Sequence, residues 1–153
     1  MKENWKNLIT AIAIPLAAGS LSALLAKDGI SSFSTITKPP LTPPAAVFPI
    51  IWTILYILMG IASYLVIMKN PDEKALSLYG LQLLFNFFWS IWFFRFGWYL
   101  FAFFWLIALW LLILATTLAF FRISRPAGYL MLPYLIWVTI AGYLNLGVYL
   151  LSP

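Results

Sequence analysis

Long, uninterrupted runs of apolar residues dominate the chain and are separated by short polar connections. A helix needs about 20 apolar residues to cross a bilayer, because each residue adds about 1.5 Å to its length. Five runs are long enough, with approximate limits at residues 8–26, 45–68, 75–95, 98–121 and 127–151. Membrane strands would be shorter and would alternate apolar with polar positions, which these runs do not. The pattern therefore predicts an all-α membrane protein, a five-transmembrane-helix bundle.

The connections between the predicted helices differ in length. The first, residues 27–44, is long and contains four closely spaced prolines, Pro39, Pro40, Pro43 and Pro44. Proline fixes φ and removes an amide donor, so we expect an extended and stiff segment. A loop of this length in a small protein is usually functional or disordered. The connection at residues 95–98 is very short, which predicts that the helices on either side of it are antiparallel neighbours.

The composition agrees with a membrane location. Of the 153 residues, 64% are hydrophobic and only 8% are charged, whereas soluble domains have roughly 25% charged residues. The polar surface for a separate soluble domain is lacking, so we expect residues 1–153 to form a single domain. The chain has no histidine and no cysteine. Disulfides, thiolate chemistry and the commonest ligands of zinc, copper and haem are thereby excluded, and no metal site is expected.

The basic residues flank the predicted helices singly and form no stripe that would bind nucleic acid. They divide six against three between the two ends of the bundle: Lys2, Lys6, Lys69, Lys74, Arg122 and Arg125 at one end, and Lys27, Lys38 and Arg95 at the other. Excess Lys and Arg mark the cytoplasmic side of a membrane protein. We therefore expect a cytoplasmic N-terminus, with the C-terminus and loop 27–44 on the extracytoplasmic side.

Acidic residues are confined to the N-terminal tail and the connections, at Glu3, Asp28, Asp72 and Glu73. Proton relays and ion-coupled pumps use acids or histidines inside the membrane. Triad chemistry and general acid–base hydrolysis use histidine or paired carboxylates. The sequence therefore argues against an ion-coupled transporter and against conventional hydrolytic enzymes.

Aromatic and amide side chains recur along one face of three predicted helices. Their spacing of three or four residues keeps them on the same side of a helix. The candidates for a ligand-binding wall are Phe48, Trp52 and Tyr56 in the second predicted helix, Gln82, Asn86 and Trp89 in the third, and Trp137, Ala141 and Asn145 in the fifth. A lining of this kind suits a flat, mainly apolar ligand.

Each of these groups also has a structural interpretation. Aromatic stripes in membrane helices are more often packing surfaces or interfacial belts than pockets. Trp89 lies near a helix end together with Trp92 and Trp98, which favours a belt there. The three amides could equally form hydrogen bonds between helices, and the prolines could be only a stiff connector. The spacing leaves these alternatives open.

Three motifs follow one another in a fixed order: KPPLTPP with FPIIWTILYILMGIASYLV within residues 38–66, YGLQLLFNFFW at 79–89, and PYLIWVTIAGYLN at 133–145. In these motifs the chain resembles the translocator protein family (TspO/MBR, tryptophan-rich sensory proteins, whose mitochondrial members are peripheral-type benzodiazepine receptors). The resemblance covers nearly the whole chain. It implies a five-helix protein of the bacterial cell membrane, a homodimer, that binds porphyrins such as protoporphyrin IX and benzodiazepine-site ligands in a pocket closed by the first loop.

The resemblance also implies roles for single residues. It places Trp52, Asn86, Trp137 and Ala141 at the ligand, while the other two amides match motif positions whose role could be structural. For some bacterial members it implies porphyrin degradation in light and oxygen, with Trp52 and Trp137 as the catalytic residues. An excited porphyrin can exchange electrons with indoles or generate reactive oxygen beside them. The porphyrin, as ligand or substrate, would supply the chemistry without any further cofactor.

We therefore expect a membrane receptor for porphyrin and benzodiazepine-site ligands, with light- and oxygen-dependent porphyrin degradation as its candidate reaction. The alternative is a transporter or stress sensor that binds tetrapyrroles or other apolar ligands without chemistry. Lys27 or Lys38 could meet the porphyrin propionates at the mouth of the pocket. The chain departs from the family pattern in two places. Leu41 stands where the loop motif usually has tryptophan, and residues 144–153 lack the basic residue of the mitochondrial cholesterol-recognition pattern, so steroid handling is unsupported.

Overall fold

A computed structural model describes residues 2–44 and 46–151 of the chain. Its α-helices are α1 (Lys2–Leu25), α2 (Lys27–Ser32), α3 (Val47–Lys69), α4 (Glu73–Ser90), α5 (Tyr99–Ile123) and α6 (Arg125–Leu151). All of them except α2 belong to segments long and apolar enough to cross a membrane, which gives five spans. The described part of the chain contains no strand. The predicted bundle of five membrane helices is confirmed, although the predicted start of the second helix, residue 45, lies outside the described residues.

The five long helices form a ring in the order α1, α3, α6, α5, α4, with each helix packed against the next and α4 closing the ring against α1. Apolar side chains predominate inside the ring, where Met59, Leu109, Ile113 and Met131 are fully buried. Large apolar side chains such as Leu111 cover the outside. In a membrane this outer surface faces lipid, so its exposure carries no solvation cost.

The helix ends explain how the chain turns between spans. Asp72 begins α4, because its side chain accepts a hydrogen bond of 3.0 Å from the backbone N–H of Ala75. At its other end α4 continues as a π-helical segment, Ile91–Arg95. Gly97 then takes a φ of +65°, a conformation that side chains with a Cβ rarely adopt, and leads into α5. The short turn at 95–98 makes α4 and α5 antiparallel neighbours, as predicted.

The connection at residues 27–44 differs from the extended segment predicted for it. It begins with α2 and a 3₁₀ turn, Phe33–Thr35, and only residues 36–44 are irregular. The reason is that the prolines, which exclude helix, are confined to its second half. Leu41 has a φ of +70° and is 93% exposed, so it does not act as a cover for the bundle.

The connection is fastened to the bundle at both of its ends. Near its end, Pro39 lies against Gly147 of α6 so closely that a Cβ at that glycine would come within 2.5 Å of the proline ring. Beside this contact, the Tyr143 hydroxyl donates a hydrogen bond of 2.6 Å to the carbonyl of Pro40. Near its start, Gly29 packs directly on the backbone of the π-helical segment. The segment between these contacts is thereby held across the end of the bundle.

The closest crossing of α1 and α3 depends on a glycine. A Cβ added to Gly60 would lie 2.6 Å from Cα of Ile12 and 2.7 Å from the carbonyl oxygen of Ala11. Both neighbours are backbone atoms, so the two helices would have to move apart. Small residues at such crossings let membrane helices approach closely.

The Gly60→Ala variant should therefore lower the free energy of unfolding by about 1–3 kcal/mol, as overpacking does in other cores. Gly80→Ala is the matched control, because nothing lies within 4 Å of a Cβ added there. That change should stabilise α4 by roughly 0.5–1 kcal/mol through helix propensity. Thermal unfolding in detergent, followed by circular dichroism, compares the two variants, and equal midpoints would contradict the assigned crossing.

Candidate ligand-binding site

A cavity of about 340 Å³ lies inside the ring at the end where loop 27–44 crosses it. Its walls come from α1, α2, α3, the C-terminal part of α4 with the π-helical segment, and α6. Its volume falls at the lower end of the range of roughly 300–1,000 Å³ that is typical of sites for drug-sized ligands. None of the described residues that line it is charged. We call this space the main cavity.

Seven of the nine residues predicted for the ligand-binding wall line the main cavity: Phe48, Trp52, Tyr56, Trp89, Trp137, Ala141 and Asn145. They come from three helices whose inward faces meet at this end of the bundle. The shared faces inferred from spacing therefore converge on one space. Gln82 and Asn86 lie on the same face of α4 but are not among the lining residues.

Trp52 is the centre of the aromatic wall. Its ring stacks on Tyr56 at a centroid distance of 5.6 Å and lies nearly perpendicular to Trp137, at 6.3 Å and 87°. Trp89 lies 6.5 Å away on another side, and Phe48 packs against Trp137 at 5.6 Å. Aromatic pairs at these distances in stacked or edge-to-face geometry attract each other. Two indoles at right angles thus form a corner of fixed shape in the cavity wall.

The two amides outside the lining belong to a hydrogen-bonded chain that begins at the cavity. The Tyr56 hydroxyl donates to Oδ1 of Asn86 at 2.9 Å, and Nδ2 of Asn86 donates to the Tyr134 hydroxyl at 2.8 Å. That hydroxyl in turn donates to Oε1 of Gln82 at 2.7 Å. Gln82 and Asn86 are both buried. Both amides therefore form hydrogen bonds between helices, which is the structural alternative that the sequence left open for them.

Asn145 lines the cavity and also forms hydrogen bonds between helices, so the ligand-wall and the structural interpretation both apply to it. Its Oδ1 accepts a hydrogen bond of 3.0 Å from Nε1 of Trp89, and its Nδ2 donates to the carbonyl of Tyr99 at 2.8 Å. Trp89 is buried and Trp98 is 50% exposed. Trp98 therefore fits the predicted interfacial belt. The belt prediction is wrong for Trp89, because this residue lies on the same inward face of α4 as Asn86.

The indole of Trp137 differs from that of Trp89. Its ring lines the cavity, yet its Nε1 is buried and has no hydrogen-bond acceptor in the described part of the chain. A buried donor without a partner costs free energy. A ligand acceptor that reached this nitrogen would recover that cost.

Several lining residues were not predicted as ligand contacts. They are Leu16, Gly19, Ser20 and Ala23 from α1, Ile30 and Phe33 from the loop, Pro49 and Thr53 from α3, Ser90, Phe93 and Phe94 from the end of α4, and Leu144 from α6. The sequence of α1 has a cluster of small residues at positions 17–23, but such a cluster indicates only close helix packing. The loop residues carry no periodic signal, and the π-helical segment changes the helical register on which spacing arguments depend.

Phe33 is the main contribution of the loop to the cavity. It is buried and packs edge-to-face on Phe48 at 5.7 Å and on Phe94 at 5.6 Å. The ammonium group of Lys38 lies 4.9 Å from the centre of the Phe33 ring and donates to the carbonyls of Phe33, at 2.9 Å, and Ile36, at 3.1 Å. Lys38 thus holds the loop turn together, and neither it nor Lys27 is among the lining residues.

The cavity is open on the side between α1 and α3. Ser20 and Ala23 of α1 and Pro49 and Thr53 of α3 line the cavity and are all exposed. Because both helices are membrane spans, this opening faces the bilayer. An apolar ligand dissolved in lipid would therefore meet it directly.

This arrangement has the shape to bind and orient a planar ring, but none of its described lining residues carries a charge or transfers protons near neutral pH. In the described residues, no three of His, Cys, Asp or Glu come together as a metal site would require. A planar group would be held by the aromatic corner of Trp52 and Trp137. Any chemistry at this site would then be that of the bound molecule.

Comparison with known proteins agrees with the family resemblance of the motifs that form the cavity wall. Residues 11–151 match the TspO/MBR family. The chain belongs to this family. The family membership predicted from the three motifs is confirmed.

Relatives in the TspO/MBR family come from bacteria and from mammals. The chain is 37% identical to the tryptophan-rich protein TspO of Chlorobaculum tepidum, over the full length of both. It is 37% identical to the tryptophan-rich sensory protein of Cereibacter sphaeroides, over 95% of this chain and 90% of the relative. The translocator protein of Bos taurus is 31% identical over 95% of this chain and 89% of its own length.

Removing the amide that holds Tyr56 should destabilise the bundle. The Asn86→Ala variant leaves the Tyr56 hydroxyl without its acceptor, and we expect a loss of about 1–2 kcal/mol in the free energy of unfolding, as for other hydrogen bonds between membrane helices. Near-ultraviolet circular dichroism should also change, because Tyr56 stacks on Trp52. Asn7→Ala is the control, since Asn7 is exposed and makes only a 3.9 Å contact to the sulfur of Met68. An Asn86→Ala variant as stable as the control would contradict the hydrogen-bonded chain.

Proposed function

We propose that this TspO/MBR protein is a membrane receptor that binds porphyrin, with protoporphyrin IX as the ligand, and benzodiazepine-site ligands in the main cavity. The observation that carries the proposal is the perpendicular pair of Trp52 and Trp137 on the wall of an uncharged cavity. Flat apolar rings stack on aromatic faces, and a right-angled pair contacts both the face and the edge of such a ring. The end of the bundle that holds the main cavity carries only three of the basic residues, Lys27, Lys38 and Arg95. The opposite end carries more of them and is therefore the expected cytoplasmic end, which favours an extracytoplasmic location for the main cavity.

The same indoles support light- and oxygen-dependent degradation of the bound porphyrin. The excited porphyrin passes its energy to O₂, and the activated O₂ adds across one carbon–carbon double bond of the macrocycle. This carbon–carbon bond and the O–O bond then break, which leaves two carbonyl groups. Both oxygen atoms then end in the ring-opened product, so no reductant is needed. Trp52 and Trp137 would position the macrocycle for this addition, and neither indole is oxidised or reduced in the balanced reaction. The ligand supplies the reactive excited state, and the protein supplies position.

The Trp52→Phe and Trp137→Phe variants test the catalytic assignment. Each keeps an aromatic ring, so we expect protoporphyrin affinity to fall by only a few-fold, in line with about 0.5–1.5 kcal/mol for an aromatic pair. The rate of porphyrin loss under light and air should fall by roughly tenfold or more, about 1.4 kcal/mol. Absorbance during illumination measures the rate, with dark and oxygen-free samples as blanks.

Trp110→Phe is the matched control, because Trp110 is not among the cavity-lining residues and its Nε1 bonds to Thr139. It should bleach porphyrin like the wild type. If the two cavity variants also bleach porphyrin at the wild-type rate, the catalytic assignment is wrong.

The opening between α1 and α3 favours a second candidate function, the transfer or sensing of apolar ligands without chemistry. A ligand that exchanges with lipid through this opening could leave unchanged. Reconstituted vesicles separate the two functions. Porphyrin that crosses the bilayer in darkness with an unaltered spectrum would favour transport, whereas loss of absorbance only under light would favour degradation.

A further inference from the structure

A second cavity of about 340 Å³ lies beside the main cavity, between α2 and the π-helical segment. The two share Phe33, Phe93 and Phe94 as lining residues. These three rings touch one another, with centroid distances of 4.8–6.1 Å. Only a partition of phenylalanine side chains therefore separates the two spaces. We call the second space the annex.

The annex differs from the main cavity in charge. Asp28 of α2 and Arg95 of the π-helical segment line it, whereas none of the described residues lining the main cavity is charged. Arg95 follows the partition directly in the chain, and its Nη1 donates a hydrogen bond of 3.3 Å to the carbonyl of Leu25 at the end of α1. This bond uses one of the five N–H donors of the guanidinium group. The cation is thus anchored at the wall of the annex.

We propose that the annex receives a carboxylate arm of a ligand whose apolar rings occupy the main cavity, and that Arg95 pairs with this carboxylate. The ligand class is a planar ring system with at least one carboxylate, to which protoporphyrin IX with its two propionates belongs. This inference rests on the function proposed above and specifies how one end of the ligand is recognised.

Desolvation is the first argument for this arrangement. A carboxylate buried in the main cavity would find no cation there, and an unpaired buried charge is very costly. The guanidinium group of Arg95 offers two parallel donors that match the two oxygens of a carboxylate. Lys38 is less suited to this role, because two of the three N–H groups of its ammonium already donate to the carbonyls of Phe33 and Ile36.

Size is the second argument. The main cavity suits a drug-sized ligand, and a tetrapyrrole macrocycle with its side arms is larger than that. The annex provides an equal volume on the far side of the partition. Phe33 is the member of the partition that lies in the loop, in the 3₁₀ turn, so it can be displaced without moving a membrane helix.

Asp28 disfavours a bound anion in the annex, which gives a second test of the proposed carboxylate site. Its carboxylate lines the same space as Arg95, so it repels the ligand carboxylate. The Asp28→Asn variant should therefore bind the acid a few-fold more tightly than the wild type and bind an uncharged analogue equally well.

Two forms of one ligand separate charge recognition from ring recognition. Protoporphyrin IX and its dimethyl ester share the macrocycle but differ in the carboxylates. Binding of each is measured by quenching of tryptophan fluorescence, with the full-length protein in lipid nanodiscs. Arg95→Ala should weaken binding of the acid about tenfold, as expected for one lost charge-assisted pair, and leave the ester within twofold. Arg95→Lys should recover part of the acid affinity, because it keeps the charge but loses the paired donors.

Arg125→Ala is the charge-matched control, since Arg125 is exposed at the start of α6 and is not among the lining residues of either cavity. It should bind acid and ester like the wild type. Equal losses of acid and ester in Arg95→Ala would overturn the proposal, as would an unchanged acid affinity. If the wild type bound neither form, the proposed function itself would fail, and the assignment of Arg95 with it.

Discussion

The hydrogen bond from Tyr56 to Asn86 joins the wall of the main cavity to the core of the bundle. Inside a membrane no water is available to hydrogen-bond a buried hydroxyl or amide, so such a group costs free energy unless it has a partner in the protein. Tyr56 meets this requirement while its ring stacks on Trp52 and lies against Gly19, where any Cβ would overlap it. One side chain therefore links α1, α3 and α4, and it fixes the plane of the central indole.

The lack of water inside the membrane also explains where the charged residues lie. Charged residues lie at the ends of the spans, and the main cavity is lined by aromatic, aliphatic and small polar side chains. Such a site can select a ligand by shape and stacking but cannot compensate a charge. The polar annex next to it, with Arg95 in its wall, supplies that missing property. Together the two cavities match an amphiphilic planar ligand better than either cavity alone.

The five spans could be predicted because lipid demands continuous apolar runs. Helical spacing placed Trp52 and Trp137 each on one face of its own helix, and the family resemblance placed both at a ligand. The partners of Asn86 could not be predicted, since spacing shows which face a residue occupies but not which neighbouring helix it meets. Phe33 was missed because α2 and the turn after it are too short to carry a periodic pattern. Phe93 and Phe94 lie in a π-helical segment, where the usual period does not apply.

In our proposal the corner of Trp52 and Trp137 holds a flat ligand inside the ring. An experimental structure of the protein in nanodiscs with bound protoporphyrin IX tests this arrangement. We expect a macrocycle in contact with both indoles and with Phe33, with one propionate toward Arg95. A macrocycle bound instead on the exposed aromatic surface around Trp98, with the main cavity unchanged, would contradict it.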